Sequence, residues 1–389
     1  MKQTFPLASS SWDLNEYKAI QAVVNKGIFT MGEKVAEFEN KFTEFIGSKY
    51  SVMVNSGSSA NLLMVAALFY TKSALRKLKR GDEVIVPAVS WGTSYFPLYQ
   101  YGLKLKFVDI DLYSLNYDLN SLRRAITDKT KLILMVNLLG NPNNFNEIDE
   151  IINNRNIIII EDNCESLGAK YNIKYTGTFG LMGSFSTFFS HHISTMEGGV
   201  IVTDDEEIYH ILLSLRAHGW TRNLPKHNHV SGVKVNDSFL ESFKFVLPGY
   251  NVRPLELSGA IGLEQLKKLP NLIIERRKNA ALWTEMFFNH PIFIIQKEID
   301  CSSWFGFSLI IRPGTSIERI DLINYLSNNG IECRPVVAGN FVKNDAVKYF
   351  DYEIFESLKN ADYVDKNGLF IGNQHYPIEQ VFKIINLFN

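Results

Sequence analysis

The sequence predicts an α/β protein: a large, mostly parallel sheet domain over residues 1–250 and a smaller α+β domain over 251–389. Three observations carry this reading. Short β-branched runs alternate with helical patterns through the first half of the chain, which implies a parallel sheet covered by helices on both faces. The chain has 389 residues, more than one compact core usually serves. The pattern then changes at Asn251, where a long amphipathic stretch begins.

In order, the expected strands are 83–89, 105–110, 131–136, 156–161, 183–188 and 199–203. Several are apolar on both faces, as strands buried inside a sheet are. Helical patterns cover 59–68, 119–126 and 145–153 between them. Beyond Asn251 the sequence predicts a long helix over 254–287, broken near Pro270. A strand at 304–312, a helix at 320–328 and a strand at 331–335 follow.

Composition narrows the functional class. Hydrophobic residues make up 46% and charged residues 21%, ordinary values for a globular chain, and the formal net charge is −1. No overall attraction to nucleic acid or a membrane surface is expected from that charge. The basic stretch Arg76, Lys77, Lys79 and Arg80 reads as a solvated helix end ahead of a Gly-Asp turn. Cys164, Cys301 and Cys333 form no CxxC pair, so no metal or iron–sulfur site is expected. Their low, odd number fits a reducing cytoplasm. No apolar run approaches the ~18 residues that span a bilayer, and the N-terminus lacks the apolar stretch of a signal peptide.

Four segments near the ends of the expected strands carry chemistry. Asn55-Ser56-Gly57-Ser58-Ser59-Ala60-Asn61 opens a helix with small residues, either as a plain Ser cap or as a cradle presenting N–H groups to a phosphate. Trp91, just past a strand, packs in a core or stacks on a flat heteroaromatic ring. Asp162 ends the apolar run 158–160 and either caps the next helix or pairs with a pyridine nitrogen. The run from Phe185 to Gly199 holds the adjacent pair His191-His192, whose spacing is too tight for an ordinary metal pair.

In this order and spacing the segments resemble the DegT/StrS-type sugar aminotransferases, pyridoxal-phosphate enzymes that act on nucleotide sugars. The likeness runs nearly end to end. It includes Phe29-Thr30-Met31-Gly32, Gly81-Asp82-Glu83-Val84-Ile85-Val86-Pro87, Phe107-Val108-Asp109-Ile110-Asp111 and Glu161-Asp162. It continues through Glu197-Gly198-Gly199, Arg216-Ala217-His218-Gly219 and Gly249-Tyr250-Asn251-Val252-Arg253. The resemblance implies the aspartate-aminotransferase-like fold (PLP fold type I) and pyridoxal 5'-phosphate as cofactor. It implies that Gly57, Ser58 and Ser186 hold the phosphate, that Trp91 stacks on the ring, that Asp162 binds the ring nitrogen and that Glu165 lies near the ring substituents. Asn251 matches the family residue that reaches the neighbouring subunit's phosphate, which implies a homodimer with shared active sites.

The chain departs from the family at one position. In the aminotransferases a lysine lies six residues before the Glu of the Glu-Gly-Gly motif; here that place is His191, and no lysine occurs between Lys174 and Lys226. Lysine binds the aldehyde cofactor covalently and also shuttles the proton. Histidine does not hold the aldehyde stably, yet it remains a competent base. The cofactor is therefore expected to be held noncovalently, free to rest as pyridoxamine 5'-phosphate. The runs Ser190-His191-His192-Ile193-Ser194-Thr195 and Asn137-Leu138-Leu139-Gly140-Asn141-Pro142 resemble the sugar 3-dehydratase branch of the family. That branch implies L-glutamate as amine donor and loss of the C3 hydroxyl from a nucleotide-linked 4-ketosugar; GDP as the nucleotide rests on the likeness alone. The related CDP-sugar dehydratases also carry this histidine but use an iron–sulfur cluster, for which three scattered cysteines are insufficient.

His218, Arg222, Arg253 and Arg334 are candidate substrate contacts, the arginines for the glutamate carboxylate or the diphosphate. Surface salt bridging is the other reading of those arginines. Two other functions stand beside the dehydratase. One is a nucleotide-sugar 4-aminotransferase with an unusual base, which the missing lysine opposes. The other is a non-catalytic binding protein, which the retained Gly57 loop, Trp91, Asp162 and Ser186 oppose.

Overall fold

The computed structural model describes residues 5–153 and 155–388. Two helices, α1 (Leu14–Lys26) and α2 (Glu33–Ile46), precede the first strand, β1 (Tyr50–Val54). Asp13 caps α1 in a reciprocal box with Glu16. Then follow α3 (Gly57–Tyr70), β2 (Glu83–Pro87), α4 (Gly92–Gln100), β3 (Lys104–Val108), α5 (Leu119–Ala125), β4 (Thr130–Val136), α6 (Phe145–Ile152), β5 (Ile158–Asp162), β6 (Met182–Ser186), β7 (Gly199–Thr203) and α7 (Glu206–Arg216). The six strands expected in this half are all present, their ends moved by at most two residues. β1 is an addition; it pairs antiparallel with β7.

The second half begins with α8 (Glu256–Phe287), followed by β8 (Phe293–Ile294), β9 (Gly306–Ile311), α9 (Arg319–Asn328), β10 (Cys333–Arg334), β11 (Tyr352–Ile354), α10 (Lys359–Asn367), β12 (Gly368–Gly372) and α11 (Glu379–Asn386). The eight-stranded sheet runs β1-β7-β6-β5-β4-β2-β3-β11. The ladders β6-β5-β4-β2-β3-β11 are parallel, and β7 is antiparallel to both neighbours. The smaller sheet, β8-β9-β12-β10, is antiparallel throughout.

Three expectations need correction. α8 is one unbroken helix with Pro270 inside it. Proline in a helix interior costs about 3 kcal/mol, but burial at both ends of α8 outweighs it. Its first half lies on α2, with Gly262 against Phe38, and its last half carries Trp283 and Phe287 into the core of the smaller sheet. The basic stretch is not a helix end. α3 stops at Tyr70, and Arg76 crosses a turn to pair with Asp205, the cap of α7. Finally, β11 crosses the expected division at residue 250 and joins the large sheet beside β3. Buried Lys106 anchors it there, with Glu83 at 2.7 Å and Glu353 at 3.1 Å.

The two sheets meet along a hydrogen-bonded seam. Phe305 N–H donates to Leu139 O (2.9 Å) and Ser303 N–H to Gly140 O (3.0 Å). Gln296 donates to the carbonyls of Ser114 (2.9 Å) and Leu138 (3.1 Å). This seam borders the carboxyl ends of β4 and β5, where open α/β sheets place their ligands. No helix among the described residues is long and apolar enough to cross a membrane.

Candidate active site

Six candidate residues gather where β5 and β6 end and α3 and α4 begin. Gly57 is the first residue of α3, capped by Ser56, whose hydroxyl accepts from Ser59 N–H. The first N–H groups of a helix have no acceptor inside it, so Gly57 and Ser58 present theirs outward. A Cβ on Gly57 would lie 2.7 Å from Ser186 Cβ and 2.8 Å from Cys164 Sγ, so only glycine lets α3 approach β6 this closely. Ser58 Oγ donates to Thr93 Oγ1 (3.0 Å) in the first turn of α4. Trp91 caps that helix and is 60% exposed, so it is not a core residue.

Asp162 is buried at the end of β5 and is surrounded by donors. Its Oδ2 accepts from Asn61 Nδ2 (2.7 Å) and Ser94 Oγ (2.8 Å), and its Oδ1 from Cys164 N–H (3.1 Å). Asn61 is oriented in turn by Ser184 Oγ, which donates to its Oδ1 (2.6 Å). Asn61 and Ser94 are additions to the sequence reading. Asn61 had a signal, as the lone amide within the apolar helix GSSANLLMVAALFY; Ser94 had none.

Glu165 lies on the turn after Asp162 and accepts from Leu139 N–H (2.9 Å). Burial pushes its carboxyl up to about 7, against the lowering effect of that hydrogen bond, and the nearby Asp162 charge adds to the rise. It is thus a carboxyl that changes charge near neutrality.

His191 hangs from the loop between β6 and β7. The loop is locked from within by Thr187 N–H to Gly198 O (2.9 Å), Thr195 N–H to Thr187 O (2.8 Å) and the hydroxyl pair Thr187–Thr195 (2.6 Å). It is braced from outside by Trp12 Nε1 donating to Ser194 O (3.0 Å) and by Ser194 N–H donating to Gln265 Oε1 (3.0 Å) on α8. The His191 ring rests against Phe305 (centroids 5.2 Å apart) with Phe188 at 6.1 Å, and its buried Nδ1 has no partner. Burial, reinforced by the Arg276 charge, lowers its pKa to about 4. The ring is a neutral imidazole at ordinary pH. His192 is more deeply buried and its Nε2 meets Ser303 O at 3.1 Å.

Four of the remaining candidates form a second patch. Asn251 is exposed, and its side-chain oxygen accepts from Arg253 Nε (3.0 Å). The guanidinium of Arg222 stacks 4.2 Å from the Trp220 ring and that of Arg253 lies 5.5 Å from it, while His218 meets the same ring edge-on at 5.0 Å. Neither arginine is in an ion pair among the described residues, so the salt-bridge reading does not account for them. Val252 O accepts from Asn55 N–H (3.0 Å) and so joins this patch to the Gly57 loop. Arg334 stands apart, on β10 at the edge of the smaller sheet, and no contact brings it to His191.

These residues fit a phosphorylated pyridine. The Gly57 cradle and Ser186 suit an anion, and the triply bonded Asp162 carboxylate suits a protonated ring nitrogen. Trp91 suits a flat ring, and the neutral His191 imidazole suits proton transfer.

The chain matches the profile of the DegT/DnrJ/EryC1/StrS aminotransferase family over residues 11–375. It is 64% identical to a GDP-4-keto-6-deoxy-D-mannose 3-dehydratase of Escherichia coli O55:H7 over 375 residues, 96% of each chain. Among solved structures it resembles the E. coli GDP-4-keto-6-deoxy-D-mannose-3-dehydratase with bound hydrated PLP, at TM-score 0.98 and 61% identity over 100% of both chains. It also resembles a GDP-4-keto-6-deoxymannose-3-dehydratase with a trapped PLP-glutamate geminal diamine, at TM-score 0.97 and 61% identity, covering 99% of this chain and 100% of the other.

Proposed function

Because the chain belongs to the DegT/DnrJ/EryC1/StrS aminotransferase family, we propose that it is a pyridoxal-phosphate-dependent nucleotide-sugar 3-dehydratase. It removes the C3 hydroxyl of GDP-4-keto-6-deoxy-D-mannose with L-glutamate as reductant. The products are GDP-4-keto-3,6-dideoxy-D-mannose, 2-oxoglutarate and ammonia. The observation that carries this is His191 in the lysine's place, with no lysine from 175 to 225.

When bound, pyridoxal 5'-phosphate and its amine form supply an electron sink and an amino group that glutamate renews. The chain's own residues do the rest. Gly57, Ser58 and Ser186 hold the phosphate, Asp162 the ring nitrogen and Trp91 the ring face. Glu165 sits beside the ring substituents. With no lysine available, the cofactor is held noncovalently. His191, neutral at pH 7, accepts a proton; as imidazolium it then returns one to the departing C3 hydroxyl. Arg222, Arg253 and His218 serve the substrate anions, and Arg334 stands apart from them on β10.

The working unit in this reading is a homodimer in which Asn251 reaches the partner's cofactor phosphate. Support comes from the segment before Asn251, where Phe239, Leu240, Phe243 and Phe245 are each more than half exposed. Soluble monomers rarely leave such a set uncovered. A cytoplasmic setting suits the three free cysteines.

The test is product analysis after incubation with cofactor, glutamate and the GDP-ketosugar. A 3-deoxy ketosugar with one ammonia and one 2-oxoglutarate per turnover is expected. An amino sugar without ammonia would make the protein an aminotransferase instead.

A further inference from the structure

The wall behind His191 belongs to the other half of the molecule. Phe305 immediately precedes β9, yet its ring centroid is 5.2 Å from that of His191 and 5.9 Å from that of His192. Its peptide is held on both sides. Its N–H donates to Leu139 O (2.9 Å), and its carbonyl accepts from Arg276 Nη1 (3.2 Å). The same Arg276 nitrogen donates to Asn373 O (2.8 Å), and Asn373 Nδ2 returns bonds to Arg276 O (3.0 Å) and Trp304 O (2.9 Å). Two non-glycine residues flanking the seam, Leu139 (φ 52°) and Trp304 (φ 49°), adopt left-handed backbone conformations. Such conformations persist only where the surroundings fix them. The fold thus spends strain and a buried guanidinium on the placement of one aromatic residue.

We infer that Phe305 is the positioning residue for the base: its ring sets the plane and depth of the His191 imidazole, and Arg276 and Leu139 fix Phe305. This rests on His191 being the proton carrier in the proposed reaction. His191 Nδ1 is buried without a hydrogen-bond partner, so beyond the Phe188 backbone carbonyl beside the ring it is ring-on-ring packing against Phe305 that restrains χ2. Phe188, its other aromatic neighbour, is 40% exposed and a weaker support. A base displaced by about 1 Å loses up to ~100-fold in rate without loss of substrate binding.

The experiment compares Phe305→Leu with Phe305→Tyr in the full-length protein. In the cofactor-loaded enzyme, Phe305→Leu lowers kcat by about 10-fold or more and leaves KM for the GDP-ketosugar within about 2-fold. Phe305→Tyr, which keeps the ring, restores most of kcat. In the cofactor-free chain, diethyl pyrocarbonate labelling read by peptide mass spectrometry reports on the imidazole itself. The rate at His191 relative to exposed His227 rises in Phe305→Leu and stays near the unaltered value in Phe305→Tyr. An unchanged His191 labelling rate in Phe305→Leu overturns the inference, whatever the activity. Absence of deoxysugar from the unaltered enzyme defeats the dehydratase reading alone, because the labelling arm does not depend on turnover.

Discussion

Glu165→Gln should change how stability depends on pH, and by a calculable amount. Burial raises the Glu165 carboxyl from 4.5 to about 7. In the unfolded chain the group ionises near 4.5; in the folded chain it keeps its proton to about 7. Between these values the folded state binds more protons, so its stability falls as pH rises. The stabilisation is complete below 4.5 and lost above about 7. At 1.36 kcal/mol per pH unit the full span is roughly 3 kcal/mol, an upper bound for a side chain that is only part-buried. Glutamine keeps the hydrogen bond from Leu139 N–H but has nothing to ionise.

The assay is thermal unfolding of the cofactor-free protein and its Glu165→Gln variant, from pH 5 to 8.5 at one scan rate. His191 titrates in the opposite sense: its pKa is lowered to about 4, so its contribution is gained as pH rises towards 6.5. That term is common to both proteins and cancels in their difference. Gln should gain on Glu by about 3–6 °C between the two ends, taking ~1–2 °C per kcal/mol for a chain of this size. Parallel curves would refute the reasoning and mean that the Glu165 carboxylate is already ionised at pH 5.

Three other outcomes are expected. His191→Asn should lose about 10²–10⁴ of the dehydration rate, while His192→Asn, whose ring only meets the Ser303 carbonyl, should lose less; the reverse order in product assays would move the base to His192. Borohydride treatment of the cofactor-loaded protein should leave no covalent cofactor in its mass spectrum, and an adduct on any active-site lysine would overturn noncovalent holding. Mixing inactive Asp162→Asn and Asn251→Ala subunits should restore some activity after exchange, since one site of the mixed dimer receives both intact residues; proven exchange without recovery would count against a shared site.

The large sheet was legible because its strands are apolar on both faces and short turns separate them. β1 carries a weaker signal, because Tyr50–Val54 is short, holds a serine and runs directly into the motif 55–61. The unbroken α8 was illegible for a different reason. Pro270 is a local signal, and the packing that overrides it on α2 and on the Trp283 core is not. The same contrast holds in the site. Asp162, Ser186 and the Gly57 loop lie in short motifs with a fixed spacing to strand ends. Phe305 and Arg276 approach His191 from more than eighty residues away, through a seam no local pattern encodes. Arg276 reads in sequence as one more charge in Glu275-Arg276-Arg277-Lys278, yet it is buried, while Glu275 and Lys278 pair at the surface and Arg277 binds the Ser302 and Gly168 carbonyls.

That buried Arg276 has a chemical sense that a salt bridge would remove. It makes no ion pair among the described residues; its Nη1 binds two carbonyls and its Nε binds nothing, and burial lowers its pKa to about 10. A carboxylate partner would reduce the penalty of an uncompensated charge, but beside His191 it would also favour the imidazolium. Without one, the guanidinium and the Phe305 wall both oppose protonation of the imidazole. A base must be neutral before it acts, and at pH 7 an imidazole lowered to about 4 is. Once protonated in turnover, that imidazole is a stronger acid than an ordinary histidine, which is what expulsion of a poor leaving group such as hydroxide requires. Burial acts on Glu165 in the other direction and keeps it partly protonated near pH 7. The two groups are thus both biased to the uncharged form, while Asp162 has three donors fixed on its carboxyl oxygens, the arrangement proposed above to meet a cationic ring. The proposed roles therefore follow from environment more than from residue type.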